Sequence, residues 1–341
     1  MSHTIKQIAD LAGVSKSTVS RIISGNGYAS PEARERVERV IAELQYKPNA
    51  VARAMVSQRT NNIGVIIYRQ HHPIASHPLY GKILDAVILA AEALGYSVFV
   101  TTDQEMSLRR ADFLLEKRVD GLILISRLRQ NVIDYVKRFG VPYLMVNGTT
   151  DDADVLQIVS RDEEGGGQAA AYLHRLGHRN IAVIAGPQEH RSHNLRLKGF
   201  CERLARSGCR PDESAVLYSS QSTFEEGRRL MSEHGERLRA MGCTALFATN
   251  DMLALGAMKW LLEHGVSVPR ELSVMGFDDI DLSAMYAPSL TTISVDKAGM
   301  GREAVRLLDR LIRQEAAPAE GVELATGLIE RGSTAPPGTG S

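Results

Sequence analysis

Residues Thr4 to Ile23 read TIKQIADLAGVSKSTVSRII, two short amphipathic runs joined at Gly13, and this stretch decides how the rest of the chain is read. Ile5, Ile8, Ala9 and Ala12 recur at helical spacing, Gly13 permits a sharp turn, and Ser15 is a good N-cap for a second helix carrying Val19, Ile22 and Ile23 inward. The outward face of that second helix holds Lys16, Ser17, Ser20 and Arg21. The pattern predicts a helix-turn-helix whose second helix enters a DNA major groove about 12 Å wide. Arg21 offers a planar fork to guanine O6 and N7, worth roughly 1 to 3 kcal/mol of discrimination per good pair, and Lys16 a more adaptable donor. Ser15, Ser17, Thr18 and Ser20 supply shorter hydroxyl contacts, and Thr4 and Asn26 are assigned to phosphate. The competing reading is a helical hairpin with a solvated charged face.

Working outward, Ser30-Pro31-Glu32 opens a third helix with an N-cap followed by Pro, and Ala33, Val37, Val40, Ile41 and Leu44 complete a shared core. After Tyr46-Lys47, the segment Pro48 to Met55 again reads as a helix, too short to persist alone. GVSKSTVSRIISG, followed by Tyr46-Lys47-Pro48-Asn49-Ala50-Val51-Ala52-Arg53, resembles the headpiece and hinge of the LacI/GalR family of bacterial transcription regulators. The resemblance implies a hinge helix that folds against its dimer partner on operator DNA. Ala52 and Met55 would then enter the minor groove, with Met55, where the family usually has Leu, as the wedge.

Charge divides the chain in the same way. Residues 1 to 60 carry nine Lys or Arg against five Asp or Glu, a net of +4, while the whole chain balances at 40 of each sign. A basic head on an acidic body concentrates attraction to phosphate at one end. The 341 residues exceed one headpiece and allow one or two larger domains, for which 44% hydrophobic content is ample. No signal peptide and no apolar run near the roughly 20 residues that span a bilayer is visible, so a cytoplasmic protein, nucleoid-associated when bound to DNA, is expected. Cys201, Cys209 and Cys243 are widely spaced and read as reduced thiols. No cofactor or metal is expected.

From Asn62 onward short apolar runs alternate with amphipathic stretches. Ile63–Tyr68, Ser97–Thr101, Gly121–Ile125 and Tyr143–Val146 read as buried parallel strands, with helices near 79–94, 107–118 and 130–139. A second set runs through Leu156–Ser160, Ile181–Ala185, Val216–Tyr218, Ala245–Ala248 and Ser273–Met275, with helices near 163–176, 193–207, 224–239 and 251–264. The fold expected is an all-α helix-turn-helix headpiece and hinge helix, then an α/β sensor similar to periplasmic binding proteins, made of two doubly wound parallel-sheet subdomains. The boundaries are 1–47 for the headpiece, 48–61 for the hinge and 62–332 for the sensor, with 333–341 as a disordered tail. Within the sensor the resemblance implies crossings near 160, 290 and 322. Subdomain one is then 62–160 plus 291–321, including a helix over 297–314, and subdomain two is 161–290 plus 322–332.

A cleft between such halves takes ligands at strand ends. Arg196, Asn250 and Asp278 match the family's ligand contacts, with Tyr80, Asn147, Asp162 and Ser192 as further candidates; Asn147 stands where several relatives have Asp. N-cap roles for Asp162 and Asn250, a brace between Arg196 and Asp278, and a cap role for Asp279 are the structural alternatives. Directional donors and acceptors suit a sugar or sugar derivative. A purine is less suited, since Tyr80 faces Ser222 rather than a second ring. His71, His72, His77, His190 and His193 add imidazoles near the cleft, for an anionic sugar, a pH response, or no shared task. The function expected is a ligand-responsive repressor that binds a pseudo-palindromic operator as a homodimer, without membrane association. The alternatives are a purine or protein co-regulator and a transport-type binding protein. Adjacent Asp278 and Asp279 on one loop do not flank a substrate as paired catalytic carboxylates must, so an enzyme is disfavoured.

Overall fold

The computed structural model describes residues 4–24, 27–44, 46, 59–67, 77–102, 118–126, 128, 130–148, 155–209, 211–316 and 321–338. The headpiece comprises α1 (Ile5–Ala12), α2 (Lys16–Ser24) and α3 (Pro31–Glu43). Thr4 and Gln7 form a reciprocal capping box at the start of α1, Gly13 ends that helix at φ 63°, and Ser30 caps α3 with Pro31 in its first turn. Ile8, Val19 and Val37 are fully buried between the three helices, with Ile5, Ile23, Ile41 and Leu44 packed around them. The predicted hinge helix over Pro48 to Met55 lies outside the described residues, as does the predicted helix near 107–118 apart from its last residue.

The sensor begins with β1 (Asn62–Ile67), α4 (Tyr80–Ala93), β2 (Ser97–Thr102), β3 (Gly121–Ile125), α5 (Gln130–Arg138), β4 (Tyr143–Val146) and β5 (Gln157–Ser160). It continues with α6 (Asp162–Leu176), β6 (Ile181–Ala185), α7 (Arg191–Arg206), β7 (Val216–Tyr218), α8 (Phe224–Ala240), β8 (Ala245–Ala248), α9 (Asp251–Glu263) and β9 (Ser273–Asp278). The last elements are α10 (Asp281–Met285), β10 (Thr291–Val295), α11 (Lys297–Ile312), β11 (Val322–Leu324) and β12 (Thr326–Ile329). Among the described residues the strands form two sheets of six, ordered β11-β5-β4-β3-β1-β2 and β12-β10-β9-β8-β6-β7. All pairs are parallel except β10 with β12. Helices cover both faces, so successive strand residues go to different cores: Ile63, Val65 and Ile67 to one, Ile66 to another. That is why these strands read as unbroken apolar runs rather than alternating ones.

Two expected boundaries move. Thr291–Val295 ladders against β9 in the second sheet, and Val322–Leu324 pairs with β5 in the first. The second crossing therefore falls at Asp296, whose side chain caps α11 through Gly299 N at 2.7 Å, and the third at Ala325. The first crossing stays beside Arg161, between β5 and α6. Helix α11 packs on α4, β3 and β4 of the first half, as expected.

The expected disordered tail is also corrected for Ser333 to Gly338. Ser333 is fully buried. Its hydroxyl donates to Val274 O at 2.6 Å and accepts from Thr291 N at 2.8 Å, while its carbonyl accepts from Val274 N at 2.8 Å. Thr334 joins Tyr172 and Thr291, and Ala335 joins His178 and Ser273. Small polar composition suggested disorder, but the Ser333 and Thr334 hydroxyls and the Ala335 backbone are all hydrogen-bonded at the end of the second sheet. Among the described residues no helix is long and apolar enough to cross a membrane.

Candidate functional site

The α2 surface carries the groove-facing candidates. Ser15 Oγ accepts from Thr18 N at 3.1 Å, so it caps the helix, and it also contacts the hydroxyls of Ser17 and Thr18 at 2.7 and 2.8 Å. Val19 and Ile22 turn into the core, which leaves Lys16, Ser17 and Arg21 exposed and Thr18 and Ser20 half-buried. Thr4 spends its hydroxyl on Gln7 N at 3.3 Å, at the N-terminal end of α1. Asn26, Ala52 and Met55 lie outside the described residues.

Between the two sheets lies a cavity of about 230 Å³ whose walls include His77, Tyr80, Asn147, His190, Ser192, His193, Arg196, Asn250 and Asp278. A side compartment of about 40 Å³ adds Asp162, Glu189 and Arg191. Tyr80 enters at the start of α4; its hydroxyl accepts from Ser126 Oγ at 2.8 Å, and burial raises its pKa. His77 stacks on the Tyr80 ring with centroids 4.3 Å apart. The His77 Nδ1 accepts from Leu79 N and Tyr80 N at 3.3 and 3.2 Å, so that nitrogen holds a lone pair. Asn147 follows β4 in the left-handed region at φ 50°, which Asn tolerates better than most side chains.

Arg196 organises the opposite wall. It is 3% exposed. Its Nε donates to Asp162 Oδ1 at 2.8 Å, and its Nη1 donates to Asp278 Oδ1 at 2.9 Å and to Thr249 O at 2.8 Å. Its guanidinium also lies 3.9 Å above the Phe277 ring. Burial opposes the charge on Arg196, but Asp278 and Asp162 outweigh it and raise its pKa. Burial likewise pushes the Asp278 carboxyl up, against Arg196 and Lys297. The helices α6 and α7 approach closely enough for this: a Cβ at Gly166 would strike the Arg196 carbonyl, and one at Gly199 the Glu163 carbonyl.

The structural alternatives divide. Asn250 does cap α9, accepting from Leu253 N at 2.9 Å while donating to Ser222 O at 3.1 Å. Asp162 is no cap: it is the first residue of α6, and its carboxylate takes Arg196 and the Ser160 hydroxyl. Asp279 caps nothing either, because Arg331 Nη2 holds its carboxylate at 2.6 Å. Asp278 and Asp279 both adopt positive φ, 114° and 52°, and Lys297 Nζ binds their carbonyls at 2.6 and 2.9 Å.

The histidines occupy different settings, as the reading with no shared task expects: His77, His190 and His193 line the cavity. His193 is a buried strut: its Nδ1 meets Thr249 Oγ1 and its Nε2 meets Ser222 Oγ, both at 2.8 Å. Burial, then the nearby Arg196, drives its pKa well below the ordinary histidine value, so it carries no charge for an anion. His190 stacks beside it with ring centroids 5.8 Å apart, and Ser222 lines the same cavity. His71 and His72 lie outside the described residues. Among the described residues no group of His, Cys, Asp and Glu has a metal-holding arrangement.

The pair Asn250-Asp251 matches the family's pattern after a strand, but the sequence assigns Asp251 no role of its own. It is fully buried, accepting from Thr292 Oγ1 at 2.6 Å, Ser283 Oγ at 2.7 Å and Ile280 N at 2.9 Å. Burial, then Asp278, raises its pKa to about 7. An acidic residue in the first turn of an otherwise apolar helix, MLALGAM, was the available signal.

Known proteins resemble both parts. Residues 4–49 match the family described as bacterial regulatory proteins, lacI family, and residues 170–334 match the periplasmic binding protein-like domain. The HTH-type transcriptional regulator CelR of Thermobifida fusca is 34% identical over 338 residues, 97% of this chain and 98% of that one. A CelR–cellobiose complex superposes with a TM-score of 0.72 at 31% identity, covering 97% of this chain and 99% of the other. The Lac repressor dimer bound to operator and the anti-inducer ONPF gives a TM-score of 0.80 at 30% identity, covering 98% of this chain and 100% of that one.

Proposed function

The chain belongs to the LacI family of bacterial regulatory proteins, and we propose that it is a dimeric repressor whose grip on a pseudo-palindromic operator is set by a sugar or sugar derivative in the inter-lobe cleft. It is a transcription regulator and not an enzyme. The observation that carries the reading is the coexistence, in one chain, of an exposed Lys16/Ser17/Arg21 face and a polar cleft whose buried Arg196 is held in register by two carboxylates. Each α2 helix reads one half-site in the major groove, with Arg21 and Lys16 on base edges and Thr4 and Asn26 on phosphates. The segment from Pro48 to Met55 joins reader to sensor, and Ala52 and Met55 act in the minor groove at the operator centre.

Tyr80, Asn147, Ser192, Arg196 and Asp278 contact the effector directly; Asp162 and Asn250 act mainly through Arg196 and Ser222. Cellobiose bound to CelR supports a sugar over a purine. Dimerisation is supported by exposed apolar side chains on neighbouring elements: Ile88 and Leu89 on α4, Phe99 and Val100 on the edge strand β2, and Leu282 and Met285 on α10. An ion pair of 2.8 Å between Lys82 and Asp281 brings α4 and α10 together. Exposed apolar groups on a sheet edge and its flanking helices favour association with another surface. The protein acts in the cytoplasm, on the nucleoid when operator-bound. A binding-site selection from random duplexes, repeated with candidate sugars, tests the whole reading. Twofold-symmetric sites whose recovery changes with one sugar are expected, and the Asp278→Ala variant should keep the sites and lose the sugar response. Recovery of no symmetric site refutes it.

A further inference from the structure

The sensor takes hold of the chain arriving from the headpiece at one carboxylate. Asp120, the residue before β3, accepts Thr60 N at 2.7 Å and Thr60 Oγ1 at 2.8 Å on one oxygen, and Asn61 N at 2.8 Å on the other. Two successive backbone N–H groups thus converge on one anion, and hydrogen bonds to an ionised acceptor are roughly twice as strong as neutral ones. Asn61 stands at φ 52°, a left-handed position that turns the chain around the carboxylate. The carbonyls that follow continue the hold: Asn61 O accepts from Ser97 N at 2.9 Å at the head of β2, and Asn62 O from Asp120 N at 2.7 Å. Asn62 Nδ2 also donates to Arg118 O at 2.9 Å.

The seat beneath Asp120 is built from several elements. A Cβ at Gly121 would meet the Leu308 and Ile312 side chains, so the last turns of α11 lie directly against the start of β3. Arg59 Nη2 reaches the Ile312 carbonyl at 3.4 Å, and Tyr96 OH donates to Asp309 Oδ1 at 2.8 Å, which ties the approach to β2 to the same helix. Only Val56, Ser57 and Gln58 separate Met55 from Arg59, a reach of roughly 14 Å at full extension. So short a tether absorbs little displacement. Where the linker is fastened therefore limits where Met55 can stand, and in a dimer the two fastening points limit how far apart the two reading heads can be placed.

Resting on the dimeric-repressor reading above, we infer that Asp120 is a specificity-determining residue for the operator: by fastening the linker to the sensor it fixes the spacing between half-sites that the dimer accepts. Base identity within each half-site stays with α2, which lies on the far side of the tether. Asp120 governs the distance between the two half-sites.

Fluorescence anisotropy of the full-length protein with three duplexes tests this: the operator recovered by selection, the same operator with one base pair inserted at its centre, and one with a central base pair removed. Each change moves the half-sites by about 3.4 Å along the axis and turns one against the other by about 35°. The parent protein should bind the altered operators about 100-fold more weakly, because both heads can no longer engage together. In Asp120→Asn, which keeps the size but turns an N–H group toward a linker donor, this penalty should shrink by about tenfold. The base preferences within a half-site should stay unchanged. Thr60→Val, which deletes one of the three bonds and leaves the carboxylate, should shrink the penalty by about threefold. A purely structural role would weaken all three duplexes alike and leave the penalty where it was. A penalty absent from the parent, or equal in the parent and both variants, overturns the inference and leaves the repressor reading standing. Recovery of no twofold-symmetric operator by the parent removes that reading, and this inference with it.

Discussion

Asp251 shows how one side chain can tie a binding site to the fold. Its carboxylate gathers donors from β10, from α10 and from the turn after β9, so three segments meet on one buried charge. Its pKa is raised from 3.8 to about 7, chiefly by burial. A carboxyl with a raised folded-state pKa binds its proton more tightly folded than unfolded. The stability it contributes is therefore full below about pH 4 and is lost as pH rises through about 7, a change on the order of 4 kcal/mol. Urea unfolding of Asp251→Asn should show a shallower fall in stability between pH 5 and 8 than the parent protein, because the amide cannot ionise. An unchanged slope would place the titration elsewhere. Asp278 and Asp162 were legible as cleft residues from the resemblance, while Asp251 was matched only as the neighbour of Asn250, its role hidden because its partners Thr292 and Ser283 lie far along the chain.

At the level of elements, the pairing of α6 with α7 governs the geometry around Arg196. Gly166 and Gly199 remove the side chains that would hold these helices apart, and their contact places Arg196 Nε against Asp162. Gly199→Ala should force the helices apart and destabilise the protein by about 1 to 3 kcal/mol, as overpacking does. Sugar affinity should fall more than operator affinity, since the headpiece does not share this contact. Calorimetric unfolding and effector titration together check the outcome. The helices themselves were readable from periodicity to within about two residues; the glycines were visible, but not what they approach. The short edge strands β11 and β12 and the strand β10 were missed or misassigned, because three to five residues carry too little pattern to reveal which sheet they join.

Across the whole molecule, function rests on two bodies with different physics. Operator binding by the basic headpiece releases counterions, so its affinity should fall steeply and log-linearly with salt, whereas sugar binding in the cleft should respond far less. Fluorescence anisotropy with operator and titration with sugar, each from 50 to 300 mM salt, separate the two. Equal slopes would contradict the division. The C-terminal segment belongs to the sensor: truncation after Gly332 would leave the buried Val274 and Thr291 amides without Ser333. Each such orphaned donor costs about 1 to 3 kcal/mol, so the truncated protein should melt several degrees lower with its headpiece intact. An unchanged Tm would show that this segment contributes nothing to stability.

The sequence alone determined the features that depend on neighbours within a turn or a strand: the capped helices of the headpiece, the exposed Lys16/Arg21 face, the buried parallel strands and the alternation that implies two lobes. Only the tertiary structure decided where the chain crosses between sheets, that Ser333 closes one of them, that His193 is an uncharged strut, and that Arg196 lies between carboxylates 34 and 82 residues away. Local periodicity is written into consecutive residues because backbone geometry repeats every two or 3.6 of them. Pairing between distant side chains has no such period and exists only once the core has brought them within reach.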